Sequence, residues 1–278
     1  MFTAAKKEVP RDRWGRPLIK PLNGGKALPY TRISTMAKAL DDKTALTQWK
    51  CKQTALGLSK RGDLITKVRA SGGDARVMAE VVNEAMIAAE SDASANVGTA
   101  LHSFTERIDE GVDPLDIIDA GDELYGDLLA YREATRHVTM KAAELFVIVD
   151  ELQAAGSFDR LVELPGHGLM VADLKTGQHE PKYPHGVTQQ IAMYAHGTLY
   201  DPDQGRIATL ADLGVRTDVG LLIHLPAKKS TCDLYLLDLN HGWQLARTAF
   251  AVRASYKAKP ITKIEAPQLN PTERTQHV

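Results

Sequence analysis

Asp173-Leu174-Lys175 sets a carboxylate and an ammonium two residues apart, so on a strand both point to the same face. Val171, Ala172 and Leu174 are apolar, which puts the pair at the end of an otherwise buried strand. Two charges there are costly without a partner or a metal. Asp159 falls on the preceding strand of the same hairpin and can bring a second carboxylate close. Such a set suits phosphodiester hydrolysis. The acids would hold Mg²⁺ or Mn²⁺ through hard oxygen ligands, and the metal would acidify a bound water and neutralise phosphate charge. The lysine would position that water and stabilise the pentacovalent transition state. The bland alternative is a surface ion pair at a strand end, because Asp-x-Lys by itself is common.

Three further features add weight. Gly98-Thr99-Ala100-Leu101-His102 opens a helix, with Gly98 suited to close packing and His102 one turn later. The Asp173-Leu174-Lys175-Thr176-Gly177 strand ends in a glycine, and Gln190 and Tyr194 lie one turn apart on the next helix. With Gly156-Ser157-Phe158-Asp159, these elements and their order resemble the RecB-type branch of the PD-(D/E)XK nuclease superfamily, over roughly residues 96–240. Thr31-Arg32 and Trp49 are also similar to the N-terminal helices of phage-encoded exonucleases of this branch.

The resemblance implies a restriction-endonuclease-like α/β core with a central mixed sheet flanked by helices. It implies that His102, Asp159 and Asp173 are metal ligands, with the Leu174 carbonyl as a further one, and that Lys175 is the catalytic lysine. Gln190, Tyr194 and Thr176 would support the site or contact substrate. Glu144, just before the first core strand, reads as a solvated strand start, with a position facing the site as the second reading. The implied activity is a Mg²⁺- or Mn²⁺-dependent DNA exonuclease serving recombination, repair or replication. The other reading is a non-catalytic DNA-binding or assembly protein on the same fold. Degenerate members usually lose a ligand or the lysine, and here all four principal positions survive. Phe158 stands where the superfamily name has proline, a change this branch tolerates. CRISPR-associated relatives carry four cysteines for an iron–sulfur cluster; with only Cys51 and Cys232, no such cluster is expected. No phosphate loop of the form G-x-x-x-x-G-K-[ST] is present.

The elements that must position these residues are read from periodicity. Residues 1–30, rich in Pro, Gly and basic residues, form a basic arm with little regular structure, and 31–95 form a helical region with Leu40, Leu46, Trp49 and Leu56 buried. Asp74 caps a helix burying Val77, Val81, Val82, Ala85 and Ala89. Helices follow over about 97–110 and 114–137, and residues 96–258 form the nuclease core. Its strands fall near Leu145–Val149, Ser157–Leu164, Leu169–Thr176, Val219–Leu225 and Leu234–Leu239, with helices over about 185–200 and 242–257. Residues 259–278 are a tail. If Leu164 paired with Leu169, Asp159 would face away from Asp173. The paired acids therefore require an odd-length loop, for example Leu164 opposite Gly168, or a β-bulge.

Bulk composition is that of an ordinary globular chain: 44% apolar, 25% charged, net charge −1. Positive charge for a DNA partner must therefore be local. The first 32 residues supply Lys6, Lys7, Arg11, Arg13, Arg16, Lys20, Lys26 and Arg32 against Glu8 and Asp12. The low total charge also favours recruitment by a recombination or replication partner, or a homo-oligomeric channel, over unaided tight binding. The two distant cysteines suit small core positions in a reducing compartment. No apolar run is long enough to span a bilayer and no secretory signal is present, so a cytoplasmic protein with no membrane partner is expected.

Overall fold

The computed structural model describes residues 8–261, except positions 92 and 183 and the side chain of residue 94. In chain order the elements are β1 (Leu18–Ile19), β2 (Leu28–Pro29), β3 (Thr31–Arg32), α1 (Ile33–Ala37), α2 (Thr44–Lys60), α3 (Gly62–Ala70), α4 (Ala75–Ala88), α5 (Ala93–Asp109) and α6 (Tyr125–Thr135). There follow β4 (Thr139–Val149), β5 (Ala154–Leu164), β6 (Gly168–Lys175), α7 (His185–Ala195), β7 (Thr198–Asp201), β8 (Gly205–Thr209), β9 (Val219–His224), β10 (Asp233–Asp238) and α8 (Leu239–Ser255).

An eight-stranded mixed sheet organises the molecule, in the order β10-β9-β6-β5-β4-β7-β8, with β3 added beside β5. Its pairs are antiparallel except β6 with β9 and β3 with β5. Alternation along each strand feeds two cores. Val171 and Leu222 join the core under α1, α7 and α8, whereas Met170, Ala172, Leu221 and Ile223 join the core under α5 and α6. The fold is therefore α/β with helices on both faces, as the order of elements implies.

The hairpin takes the odd-length form. Leu164 pairs with Gly168 and Arg160 with Ala172, leaving Pro165-Gly166-His167 as a three-residue loop. Gly166 and Gly168 both have positive φ, +79° and +84°, which explains why glycine flanks His167 on both sides. The β5–β6 ladder stops at Arg160–Ala172, although β5 begins at Ala154 and β6 continues to Lys175. Further along that edge, β3 pairs with Ala154 and Ala155. A notch in the sheet is left between β3 and β6.

Several expectations need correction. Thr31-Arg32 is a strand, not the start of a helix, and α1 packs on α7 and α8. Helices α2–α4 pack chiefly on one another around Leu64, Val81 and Ala85. Gly57 is what lets α2 and α4 touch: a Cβ there would lie 1.7 Å from the Ala85 carbonyl oxygen. This contact uses one narrow face of α2, so Leu46, Trp49 and Leu56, with the preceding Leu40, are exposed rather than buried. Asp74 does cap α4, accepting from the Arg76 and Val77 amides; Val82 is exposed and Ala89 only half-buried. The helix expected over 114–137 is split, because Asp122 caps a turn after Gly121 and α6 starts at Tyr125.

The helix expected to reach 200 ends at Ala195. Gly197 turns the chain against Val147, and β7 then pairs with β4. The β7–β8 hairpin was not foreseen; its signal was Asp201-Pro202-Asp203-Gln204-Gly205, in which Asp201 accepts from two turn amides. The arm is partly docked: Val9, Ile19 and Tyr30 are buried against Ile148, Ala155 and Tyr200. Lys6 and Lys7 lie outside the described residues, as does the tail beyond 261. Cys51 is exposed, not a core residue, and Cys232 is half-buried. Among the described residues no helix is long and apolar enough to cross a membrane.

One buried charge pair fastens α5 and α6 to the sheet. Arg160, 1% exposed, donates from Nε to Asp109 (2.7 Å) and from Nη2 to the Thr105 hydroxyl (2.8 Å). Tyr131 of α6 donates to the other Asp109 oxygen at 2.7 Å. Removing one side strands the other charge, so Arg160→Ala should cost about 3–5 kcal/mol in urea unfolding. The double change Arg160→Met with Asp109→Leu should recover most of that loss. Equal losses for the single and double variants would mean the pair is not the fastening.

Candidate active site

Four stretches distant in sequence converge at the notch. Continuing the hairpin register by one residue sets Asp159 across from Asp173, at the point where β5 and β6 part. β5 also reverses its facing here. Phe158 and Leu161 both pack in the α7-side core, an odd spacing that a regular strand cannot place on one face. The partner strand does the same: Ala142 and Leu145 both pack there, and Glu144 between them has φ +51°. Glu144 thus lies inside β4, not before it, exposed and in register with Asp159 between the Ala143–Arg160 and Leu145–Phe158 pairs.

That reversal turns Asp159 toward α5, where its Oδ2 is 3.6 Å from His102 Nδ1 and takes a long contact (3.4 Å) from the Leu174 amide. Asp173 is 2% exposed. Its Oδ2 meets the Lys175 ammonium and has no hydrogen-bond partner otherwise, while Oδ1 accepts from Gln190 at 3.3 Å. Gln190 also reaches the Tyr194 hydroxyl at 3.4 Å. Tyr194 is buried with its ring tilted against Phe158, so it packs the site's base and orients Gln190. Thr176, beyond Lys175, packs on α5: a Cβ on Gly98 would come within 2.8 Å of its hydroxyl. Close packing is the role the sequence suggests for that glycine.

The charges are out of balance. Burial pushes the Asp173 carboxyl up to about 6; Lys175 pulls it down and the nearby Asp159 pushes it up again. Burial lowers the His102 pKa, against the pull of Asp159 and of a hydrogen bond with the Leu174 backbone. At neutral pH His102 is therefore a neutral imidazole, and the notch sets two acids, Asp159 and Asp173, against the single lysine Lys175. Because Asp173 is engaged by Lys175 and Gln190 while Asp159 faces His102, the side chains are not gathered on one point. Among the described residues no group of three or more His, Cys, Asp or Glu is arranged to hold a metal ion. The chemistry of the donors nonetheless fits a hard divalent cation: two carboxylates, an imidazole and the Leu174 carbonyl, with one buried carboxylate oxygen short of partners.

Sequence reasoning missed the groups that hold this arrangement. Arg160 follows Asp159 directly, and its Thr105 partner bonds back to the Leu101 and His102 carbonyls at 2.8 and 2.9 Å. It thereby ties the helix of His102 to the strand of Asp159. A lone arginine among Phe158, Leu161 and Val162 was the available signal, since a charge inside a buried strand demands a partner. His224, paired with Lys175 across the parallel strands, is buried and bonds the Gly177 carbonyl at 2.9 Å. It fixes the turn that follows β6. No protein-family model matches the chain, and a search of curated proteins finds no match either.

The raised Asp173 carboxyl has a consequence for stability. The folded protein binds this proton more tightly than the unfolded chain does, so its contribution is fully present below about 4 and is lost as pH rises to about 6. In EDTA, Asp173→Asn should gain stability relative to the parent across that window, by on the order of 3 kcal/mol at most, with a constant difference above it. Parallel pH–stability curves for the two proteins would contradict this.

Proposed function

We propose that this protein is a divalent-metal-dependent deoxyribonuclease. The observation that carries the reading is the meeting of Asp159, Asp173, Lys175, His102 and Gln190 at one sheet notch, from β5, β6, α5 and α7. An incidental surface ion pair predicts no such meeting, since Asp173 would then be exposed and His102 remote. Asp159, Asp173, His102 and the Leu174 carbonyl are the groups to hold Mg²⁺ or Mn²⁺. When bound, such an ion acidifies water and neutralises phosphate charge.

The chain's own groups do the rest. Lys175, half-exposed beside a buried acid, can turn from Asp173 to the non-bridging oxygens of a phosphate and stabilise the charge that grows there. Gln190 holds the Asp173 carboxylate in place while Lys175 moves. His102, kept neutral by burial, offers a ring nitrogen as a ligand at neutral pH. The exonuclease preference, the DNA substrate and a role in recombination, repair or replication rest on the resemblance to RecB-type nucleases. A non-catalytic DNA-binding protein on the same fold would have no need of a buried lysine-paired acid.

The test is purified protein with end-labelled linear DNA and closed circular DNA, in Mg²⁺, Mn²⁺ or EDTA, beside Lys175→Ala. Loss of linear DNA only, in metal only, and slowed by about 10²–10³-fold or more in the variant is the expected result. Cleavage of the circle would make the enzyme an endonuclease. No cleavage under any metal would overturn the nuclease reading.

A further inference from the structure

At Thr176, the residue that follows Lys175, begins a cleft that hydrolysis itself does not require. It has a volume of about 310 Å³ and runs between the start of α5, the Thr176-Gly177-Gln178 turn and the turn after β9. That is near the lower end of small-molecule pockets, which hold about 300–1,000 Å³. Val97 and Ala227 give it apolar walls, Thr176 and Gln178 give it polar edges, and Lys228 lies at its rim, ion-paired to exposed Glu123 at 2.6 Å.

The cleft is built rigidly. Gln178 Nε2 donates to the Ala227 carbonyl at 2.5 Å and the Ala227 amide to the Thr176 carbonyl at 3.3 Å, joining the two turns. The far wall is held by Asp127 of α6, which is fully buried and accepts from the Lys228, Lys229 and Ser230 amides at 2.6, 3.0 and 2.7 Å. Lys228 and Ser230 both take positive φ, +62° and +51°. The buried carboxylate holds these unfavourable conformations in place. A surface loop with no task needs no such anchor.

Resting on the nuclease reading, we propose that this cleft is a base-binding subsite: it receives the nucleobase of the nucleotide next to the phosphate at Lys175. A phosphate alone has no use for apolar walls. A base presents apolar faces and a polar edge, and it comes attached to a phosphate that a rim lysine can meet. A base can enter only when unpaired and unstacked, so the strand is held single at the site. The substrate class is thereby narrowed to single-stranded or frayed DNA ends.

The measurement is calorimetric titration of the full chain, in EDTA, with a deoxynucleoside 5′-monophosphate, deoxyribose 5-phosphate or inorganic phosphate. The parent is compared with Ala227→Leu and Val97→Phe, each of which fills the cleft, and with Lys175→Ala; urea unfolding confirms that each variant is folded. The nucleotide should bind at least ten times more tightly than the sugar phosphate. That margin should vanish in whichever filled variants fold and persist in Lys175→Ala. Equal affinities for nucleotide and sugar phosphate, or an unchanged margin in a folded filled variant, would overturn the subsite. If the parent cuts DNA but the base adds no affinity, the subsite fails and the nuclease reading stands. A base-dependent margin in a protein that never cuts DNA would leave the subsite and remove the nuclease.

Discussion

Leu164 lies opposite Gly168, and every pair down the hairpin inherits that choice of register. Because side chains alternate with period two, moving the pairing by one residue would send the paired Leu161 and Val171, which share the α7-side core, to opposite faces. The three-residue loop is what enforces the odd offset, and it depends on two glycines at positive φ where a side chain would be strained. Once the offset is set, the remaining features of the site follow from where strands stop pairing. β6 leaves β5 after Ala172, β3 takes up the edge lower down, and the charged groups gather in the gap between them.

A gap in a sheet is a liability, since it exposes backbone groups and invites the flanking strands to close or slide. The Arg160 network opposes that movement. A buried ion pair is a poor source of stability compared with apolar packing of the same volume, so its presence calls for another reason. Here it adjoins Asp159 in sequence and reaches the carbonyls of Leu101 and His102 through Thr105. Its physical effect is to hold one helix at a fixed height above one strand, which is what a site assembled from both requires. His224 and Asp127 do similar service for the turns after β6 and β9. Three buried polar residues thus brace segments whose backbone would otherwise be free to vary.

Much of this was legible in the sequence, for identifiable reasons. The strands at the centre of the sheet announced themselves as apolar runs. Placing Asp159 and Asp173 on one face called for an odd loop or a β-bulge. The loop is odd, yet the reversal between Phe158 and Leu161 turns Asp159 to the α5 side while Asp173 meets Gln190 of α7. The site residues were legible because they break local rules: Asp173 and Lys175 interrupt an apolar strand, and a glycine stands one turn before His102. What escaped were features set by tertiary contact. The exposure of Leu46, Trp49 and Leu56 follows from Gly57, which lets α2 rest on α4 along a single narrow face. The β7–β8 hairpin escaped because the helical pattern of α7 runs on to Tyr200 in the sequence, whereas the close contact of Gly197 with Val147 turns the chain before β7. The partners of Arg160 are 51 and 55 residues away, beyond any local pattern.

The electrostatic state of the notch links the two proposals. With a whole-molecule charge of −1, long-range attraction for a polyanion is weak, and the notch itself carries more carboxylate than ammonium. A phosphate arriving there without a cation would meet Asp159 and Asp173 at close range and only Lys175 in compensation. On the nuclease reading, a divalent ion is therefore needed for the phosphate to dwell at all, and not only for bond cleavage. Affinity that does not depend on the ion must come from elsewhere on the surface. Apolar walls are suited to that task, because burial of a base between Val97 and Ala227 is indifferent to the charge of the neighbouring acids. A site that is electrostatically unwelcoming when empty and flanked by a neutral grip would hold a strand end by its base first. The phosphate would then engage only in the presence of the ion, so metal would govern cleavage more sharply than it governs binding.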